Sequence, residues 1–314
     1  MTVAVKTRSL PGKFQDPDVT ADGEPRGQVA PGKLRTIWFN TGTLCNLTCT
    51  NCYIESSPRN DRLVYISAAE VSTFLDEADA RGDTQEIGFT GGEPFMNPEF
   101  PAMLESALSR GYRVLVLTNA MRPMMKQSVD LLRLQERYNQ LMHFRISVDH
   151  YSKELHEEER GRNTWQKTIE GMQWLSENGF AVSAAGRTRW GECEDDLRTG
   201  YRKLFAELEI ALDANDPTHL MLFPEMDPEA QVPEITESCW HKLGQDPGEI
   251  MCASSRMVVK RKGAARPVVI SCTLIPYDSE FEMGETLEES WKPVKLNHPH
   301  CSKFCVLGGG SCSG

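Results

Sequence analysis

The chain has 314 residues, of which 39% are hydrophobic and 25% are charged, and its formal net charge at pH 7 is −11. This acidic balance argues against nucleic acid as the main partner, because phosphate contacts need a basic protein face, but it would suit a small-molecule substrate, including a cationic one. No apolar run reaches the length of a membrane span, and no signal peptide is present. We therefore expect a cytoplasmic protein that makes no membrane contact and keeps its ten cysteines reduced.

The hydrophobic pattern predicts an α/β fold in which strands and helices alternate after a polar extension over residues 1–33. The predicted strands cover residues 34–40, 85–90, 112–118, 142–148, 180–186 and 218–223. The predicted helices cover residues 67–81, 98–110, 123–139, 164–177 and 195–209. This alternation implies a parallel sheet with right-handed crossovers and with chemistry at the carboxyl ends of the strands.

Three closely spaced cysteines follow the first predicted strand. Cys45, Cys49 and Cys52 have C-x3-C-x2-C spacing, and Tyr53 comes directly after them. Three thiolates can hold three irons of a [4Fe–4S] cluster and leave the fourth iron open, as a catalytic metal site requires. The alternative is a zinc site, but zinc would need a fourth cysteine or histidine close by, and the nearest histidine in sequence is His143.

The cysteine spacing resembles the cluster motif of the radical S-adenosylmethionine (SAM) superfamily. In that superfamily the open iron binds SAM, and one electron from the cluster cleaves SAM to a 5′-deoxyadenosyl radical. A second motif supports the resemblance, because Gly91, Gly92 and Glu93 end the second predicted strand and resemble the Gly-Gly-Glu element that holds the amino group of SAM. The resemblance implies a partial (β/α)6 barrel over residues 34–227 and an electron donor such as flavodoxin or ferredoxin.

Other polar residues at the predicted strand ends are further candidates for binding SAM. Asn119 ends the third strand, Ser147 and Asp149 end the fourth, and Arg187 follows the fifth. In the family, the position of Ser147 and Asp149 commonly contacts the ribose or carboxylate of SAM. A guanidinium at Arg187 could bind that carboxylate in a bidentate manner. The alternatives are a capping serine and an exposed salt bridge.

The chain after residue 227 is rich in cysteine. Cys252 and Cys272 flank a predicted β-hairpin, and three more cysteines follow near the end. This arrangement resembles the twitch domain of the superfamily, which holds an auxiliary cluster, and implies a small C-terminal α+β domain over residues 228–314 with a second [4Fe–4S] cluster. The expected ligands are Cys252, Cys272, Cys301 and Cys305, with Cys312 as the substitute. A structural zinc is the alternative, since four thiolates hold zinc as readily as iron–sulfur.

Cys193 is separate in sequence from both cysteine groups and follows the fifth predicted strand. A thiol is a good hydrogen-atom donor to a carbon radical. In sugar and aminoglycoside epimerases with a twitch domain, a cysteine returns hydrogen to the substrate radical from the face opposite abstraction. The resemblance therefore implies a catalytic role for Cys193, and an incidental loop cysteine is the alternative.

These patterns lead to a hypothesis of a radical SAM epimerase that acts on a sugar or aminoglycoside. The alternatives are a twitch dehydrogenase that oxidises an alcohol and a maturase of a ribosomal peptide. The maturase is less favoured, because the residues before the first predicted strand are too few to form a peptide-recognition domain. An iron–sulfur electron carrier is disfavoured, because it would have no use for the Gly-Gly-Glu element.

Overall fold

A nine-stranded sheet forms the centre of the structure, a computed structural model that describes residues 12–225 and 231–308. This sheet contains β2 (Thr36–Asn40), β3 (Glu86–Thr90), β4 (Arg113–Thr118), β5 (Met142–Ser147), β6 (Ala181–Arg187), β7 (Leu220–Phe223), β8 (Ser255–Val259), β9 (Val268–Ile270) and β10 (Glu282–Gly284). A separate two-stranded sheet contains β1 (Gln28–Val29) and β11 (Val294–Lys295). The helices are α1 (Ala68–Arg81), α2 (Phe100–Ser109), α3 (Arg122–Met125), α4 (Ser128–Tyr138), α5 (Lys153–Arg160), α6 (Trp165–Glu177), α7 (Glu194–Glu207) and α8 (Glu237–Leu243).

Strands β2 to β7 lie side by side in chain order, and every neighbouring pair among them is parallel. These are the strands that the hydrophobic pattern predicts, so the expected α/β fold with a parallel sheet is confirmed. The sequential order matches a partial (β/α)6 barrel, and it brings the carboxyl ends of these strands to one edge. None of the helices in the described part of the chain is both long enough and apolar enough to cross a membrane.

Helix α1 shows how local sequence sets the outer layer. Ser67 and Glu70 form a capping box at its start, and Gly82 ends it with a φ of 72°. Between these ends, the helix buries an apolar stripe against the sheet, where the ring of Phe74 meets Phe39 of β2 at 6.3 Å between centroids. Each buried side chain of this size contributes about 1.5–3 kcal/mol, and the cap contributes about 1 kcal/mol. The predicted bounds of this helix are therefore confirmed to within one residue.

Two features of the helical layer differ from the prediction. The predicted helix over residues 123–139 is divided into α3 and α4, because the chain tightens at Gln127, whose N–H donates to the carbonyl oxygen of Met124 at 2.8 Å. Helix α5 is not among the helices that the sequence predicts. Its buried positions are the polar residues His156 and Glu159, so no apolar periodicity marks the helix.

The C-terminal part of the chain extends the barrel sheet. The predicted hairpin is present as antiparallel β8 and β9, but β8 also pairs in parallel with β2, with Met257 opposite Trp38. All five residues of β8 are buried. The separate C-terminal α+β domain is thus not confirmed, since the described tail strands β8, β9 and β10 belong to the same sheet as the barrel. The boundary near residue 227 stays a prediction.

The segment before the barrel is held against the tail. Strand β1 pairs with β11 in an antiparallel manner, and Arg26 forms a buried ion pair with Glu234 at 2.6 Å. A second apolar cluster covers the inner face of the sheet, where Trp38 packs with residues of the tail that include Phe304. The tail therefore closes one side of the space enclosed by the barrel strands.

Candidate functional site

A cavity of about 190 Å³ lies at the carboxyl ends of the parallel strands. The three cysteines that follow β2 line it, together with residues at the ends of β3 to β7. Nine of the residues predicted to hold the cluster or SAM are brought together there: Cys45, Cys49, Cys52, Gly91, Gly92, Asn119, Ser147, Asp149 and Arg187. The strand-end rule thus accounts for the meeting of these candidates, and their roles in binding a cluster or SAM stay predictions.

The cysteine loop is shaped so that main-chain N–H groups point at sulfur. Leu47 N–H donates to Cys45 Sγ at 3.4 Å, and Ser56 N–H donates to Cys52 Sγ at 3.3 Å. Burial raises the pKa of Cys45 to about 12 and also raises the pKa of Cys49. The thiols of Cys45 and Cys49 therefore stay protonated while no metal is bound, and metal binding at this loop would release protons.

The three cysteines also suit an iron–sulfur cluster by their arrangement. In a [4Fe–4S] cluster each thiolate binds a different iron, so the sulfurs surround the group and do not converge on one point. Three thiols that line one cavity, two of which accept an N–H group, fit this requirement.

The Gly-Gly turn packs directly on the cysteine loop. A Cβ atom at Gly92 would lie 2.1 Å from the carbonyl oxygen of Leu44, and one at Gly91, whose φ is 139°, would lie 2.5 Å from that of Gly42. Paired glycines can let the backbone approach a ligand closely. Another reason is visible in the structure, because the absence of side chains lets the turn after β3 hold the loop that carries the cysteines.

Glu93 is not among the described residues that line the cavity. Its side chain is buried, and its oxygens accept hydrogen bonds from Thr118 Oγ1 at 2.8 Å, from Asn119 N–H at 2.9 Å and from Phe95 N–H at 3.3 Å. Burial raises the pKa of Glu93 to about 7. The carboxylate thus joins the ends of β3 and β4, and its predicted contact with the amino group of SAM stays a prediction.

A charged network borders the cavity on the other side. Asp149 is 4% exposed and forms ion pairs with Arg160 at 2.6 Å and Arg187 at 3.7 Å. Burial would raise the pKa of Asp149, but the two guanidiniums hold it below its ordinary value. Arg187 also donates to the carbonyl oxygen of Asn51 at 2.7 Å and lies over the ring of Tyr53 at 4.4 Å. Arg187 is buried, so the alternative of an exposed salt bridge does not fit this residue, and its predicted contact with SAM stays a prediction.

Arg160 and Glu159 were missed because both belong to the unpredicted helix α5. Glu159 is 1% exposed and accepts hydrogen bonds from Asn51 N–H at 2.8 Å and Arg189 Nη1 at 2.7 Å. Its main-chain oxygen accepts from Thr50 N–H at 2.9 Å. Helix α5 therefore holds the cysteine loop in place through the hydrogen bonds of Glu159. Its Arg160 places a positive charge beside Cys49. The signal in the sequence is the i, i+3 spacing of His156 and Glu159, whose side chains face inward although both are polar.

The tail cysteines meet in a second cavity. Cys252, Cys272, Cys301 and Cys305 all line it, as predicted for a second cluster, and His300 lines it as well. Cys312 lies outside the described residues. Burial raises the pKa of Cys252 to about 11. The two cavities are neighbours, because Leu274 lines both and Phe223, which lines the first, stacks on Phe304 at 5.7 Å between centroids.

Cys193 is not brought to either cavity. It is exposed at the start of α7, where its Sγ donates to Asp196 Oδ2 at 3.1 Å. Neither set of lining residues in the described part of the chain includes it. The predicted role of this thiol as a hydrogen-atom donor stays a prediction without support from the geometry.

Comparison with known proteins agrees with this site. Residues 39–188 match the family model described as "Radical SAM superfamily". Over 146 residues, the chain is 34% identical to the antilisterial bacteriocin subtilosin biosynthesis protein AlbA of Bacillus subtilis (strain 168). This match covers 45% of this chain and 30% of AlbA. Over 154 residues, it is 29% identical to GTP 3′,8-cyclase of Vibrio atlanticus (strain LGP32). This second match covers 47% of this chain and 43% of the cyclase. Each match spans less than half of the relative.

A solved structure shows the same fold. Streptococcus suis SuiB bound to S-adenosylmethionine has a TM-score of 0.62 at 12% identity, covering 86% of this chain and 67% of SuiB. SuiB bound to precursor peptide SuiA has a TM-score of 0.61 at 11% identity, covering 84% of this chain and 65% of SuiB. At such identities the likeness concerns the fold alone.

Proposed function

We propose that this chain, whose residues 39–188 match the radical SAM superfamily model, is a radical SAM enzyme that removes a hydrogen atom from an amino-acid residue of a peptide substrate. The observation that carries the radical SAM assignment is the convergence of Cys45, Cys49 and Cys52 with the Gly-Gly turn in one cavity at the strand ends. A [4Fe–4S] cluster and SAM, when bound there, supply a 5′-deoxyadenosyl radical for hydrogen abstraction.

The residues of the cavity divide this task. The three cysteines would hold the cluster, and the N–H groups donated to Cys45 and Cys52 would stabilise the thiolates. Asn119, Ser147 and the guanidiniums beside Asp149 present polar groups that would orient SAM. The apolar side chains of the same cavity would exclude water from a reactive carbon radical.

Two observations support a peptide over a sugar. The relative AlbA is named for the biosynthesis of a bacteriocin, and SuiB, which shares the fold, has been solved with a precursor peptide. An epimerase, in contrast, needs a donor thiol beside the substrate. Among the described lining residues of the first cavity, the thiols are those of the predicted cluster ligands, and Cys193 is exposed elsewhere.

We further propose that the second cavity holds an auxiliary [4Fe–4S] cluster on Cys252, Cys272, Cys301 and Cys305. The support is that these four thiols, which come from three separate parts of the tail, line one cavity. The shared wall at Leu274 would keep such a group next to the substrate cavity.

Deuterium transfer tests the peptide proposal. The anaerobically reconstituted enzyme is reduced with dithionite and given SAM with either a peptide pool from cells grown on deuterated amino acids or a deuterated small-metabolite pool. We expect mass spectrometry to find deuterium in 5′-deoxyadenosine only with the peptide pool. Deuterium taken only from the small-metabolite pool would overturn the peptide proposal.

Two variants serve as matched controls. Replacing Cys45, Cys49 and Cys52 together by alanine is expected to remove about four irons per chain and all formation of 5′-deoxyadenosine. Cys193→Ser is expected to retain both iron and product formation, because the thiol is exposed outside the cavities. If Cys193→Ser cleaves SAM but forms no product, the donor role of this thiol and the epimerase hypothesis gain support.

A further inference from the structure

A buried arginine lies beside the segment that carries Cys252 into the second cavity. Arg256 is the second residue of β8 and is 1% exposed. Its guanidinium donates to the carbonyl oxygen of Cys252 at 2.6 Å and to that of Ser255 at 2.8 Å. It also donates to the carbonyl oxygens of Ser290 at 3.0 Å and Lys292 at 3.1 Å. Arg256 therefore joins the segment of a predicted cluster ligand to the loop before β11.

These bonds do not cancel the charge of Arg256. All four end on neutral carbonyl oxygens, and the guanidinium also lies over the ring of Trp291, 4.6 Å from its centroid. Among the described residues, the ionisable groups that act on its pKa are Cys252 and Arg81. Burial lowers the pKa of Arg256 to about 10, Cys252 opposes this fall and Arg81 adds to it. The side chain therefore stays charged near pH 7.

The carboxylates of the neighbouring elements are placed elsewhere. Glu288 and Glu289 of the adjoining loop are exposed to solvent, which screens their charges. Glu77 of α1 accepts a hydrogen bond from a main-chain N–H of that loop at 2.7 Å. Asp83 forms an ion pair with Arg81 at 3.2 Å. In the described part of the chain, these carboxylates thus leave the charge of the buried guanidinium largely uncompensated.

The charge of Arg256 reaches a thiol of the second cavity. Burial raises the pKa of Cys252 to about 11, and the guanidinium opposes that rise. At Cys301, burial and neighbouring thiols raise the pKa well above its ordinary value. His300 also lines the cavity and is neutral near pH 7, because burial and nearby cationic groups, including the partly exposed Lys303, lower its pKa to about 3. Arg256 is thus a buried positive charge that favours the thiolate form of Cys252.

We propose that Arg256 is the counter-charge of an auxiliary cluster in the second cavity and raises the reduction potential of that cluster, an inference that rests on the cluster proposed above. A cluster that accepts one electron from a reductant gains one negative charge. A fixed positive charge in poorly hydrated surroundings stabilises this reduced state more than the oxidised state, since it is weakly screened there. Burial without the guanidinium would have the opposite effect, because apolar surroundings disfavour added charge.

The first measurement compares the unaltered enzyme with Arg256→Gln. Both proteins are reconstituted anaerobically with iron and sulfide and are titrated with dithionite in the presence of redox mediators. Electron paramagnetic resonance follows the reduced clusters, and the signal that SAM leaves unchanged is assigned to the second cavity. In Arg256→Gln we expect this second cluster to be about tenfold harder to reduce, which corresponds to a potential about 59 mV lower.

Two further variants separate charge from packing. Arg256→Lys keeps the charge but loses the planar fork of donors, and we expect it to retain most of the potential. Arg81→Gln alters the other arginine that lies over Trp291, at 5.0 Å from the centroid, whose charge Asp83 balances, and we expect an unchanged potential. An unchanged second potential in Arg256→Gln, or equal shifts in Arg256→Gln and Arg256→Lys, overturns the role of the charge.

Iron analysis separates this inference from the auxiliary cluster itself. Loss of about four irons in Arg256→Gln but not in Arg256→Lys shows that the charge helps to hold the cluster, which supports the proposal. Loss of these irons in both variants shows that the arginine acts through its hydrogen bonds, which overturns it. Bound zinc in the unaltered protein, with no second reducible signal, overturns the auxiliary cluster and the role of Arg256 together, but leaves the proposed hydrogen abstraction at the first site standing.

Discussion

Gly92 leaves no room for a side chain between the turn after β3 and the cysteine loop. A methyl group there would lie 2.1 Å from the carbonyl oxygen of Leu44 and 2.8 Å from that of Thr43, so the loop must move. We expect Gly92→Ala to cost about 1–3 kcal/mol of stability and to lower the iron content of the first site, measured by iron analysis and thermal unfolding.

Gly32→Ala provides the control for this substitution. Its added Cβ would meet the carbonyl oxygen of Ala253 at 3.3 Å, which a small adjustment can relieve, and it lies outside the cavity. Retention of iron in Gly32→Ala together with loss in Gly92→Ala fits the packing argument. Full iron content in Gly92→Ala would contradict it.

His156 makes the stability of the protein sensitive to acid. The side chain is 0% exposed, and neither ring nitrogen has a hydrogen-bond partner among the described residues. Burial, with the nearby charge of Arg160, lowers the pKa of His156 from 6.5 to about 4. Between these values the unfolded chain binds the proton and the folded chain does not, so stability falls as the pH is lowered from about 6.5 to 4.

Replacing His156 by phenylalanine tests this effect. The ring can keep its edge contact with Trp165, which lies 5.3 Å away between centroids. From pH 7 to pH 5 we expect His156→Phe to lose about 2 kcal/mol less of its unfolding free energy than the unaltered protein, measured by urea unfolding of the reduced apoprotein. An identical pH dependence in both proteins would show that another group is responsible.

Strand β8 is the element that ties the tail to the barrel. It is buried at every position and pairs with β2, where Met257 lies opposite Trp38. Burial of its apolar side chains is worth about 5 kcal/mol, which is comparable to the net stability of a domain. A chain that ends at residue 250 would expose an edge of β2 and this apolar surface.

We therefore expect the chain ending at residue 250 to lose cooperative unfolding and to aggregate, as followed by circular dichroism and size-exclusion chromatography. The prediction of an independent C-terminal domain has the opposite consequence. If residues 1–250 remain monomeric and unfold cooperatively, the barrel folds without its tail and the predicted boundary near residue 227 is supported.

At the scale of the whole molecule, the two cysteine cavities are adjacent but are lined by different cysteines. We expect the double variant Cys272→Ser with Cys301→Ser to lose about four irons per chain and to unfold at a lower temperature, while SAM cleavage at the first site continues. Iron analysis, thermal unfolding and the yield of 5′-deoxyadenosine measure these effects. One tightly bound zinc per unaltered chain, instead of the second set of irons, would contradict a second cluster.

Short-range patterns were sufficient to predict much of the barrel and the first site. The period of apolar residues predicts β2 to β7, Ser67 and Gly82 mark the ends of α1, and the spacing of Cys45, Cys49 and Cys52 indicates a cluster. These features depend on interactions within a few residues, so they can be read without knowing the fold. The meeting of the strand-end residues follows from one further rule, that parallel strands end at the same edge.

Other features required long-range contacts. Strand β8 pairs with β2 although more than 200 residues separate them, because an unpaired sheet edge accepts any strand of suitable register. Helix α5 buries His156 and Glu159, which polarity alone would assign to the surface. The orientations of Glu93 and Cys193 likewise depend on what packs around them. A sequence specifies which groups are near in the chain, but burial and the direction of a side chain are decided by partners that only folding brings together.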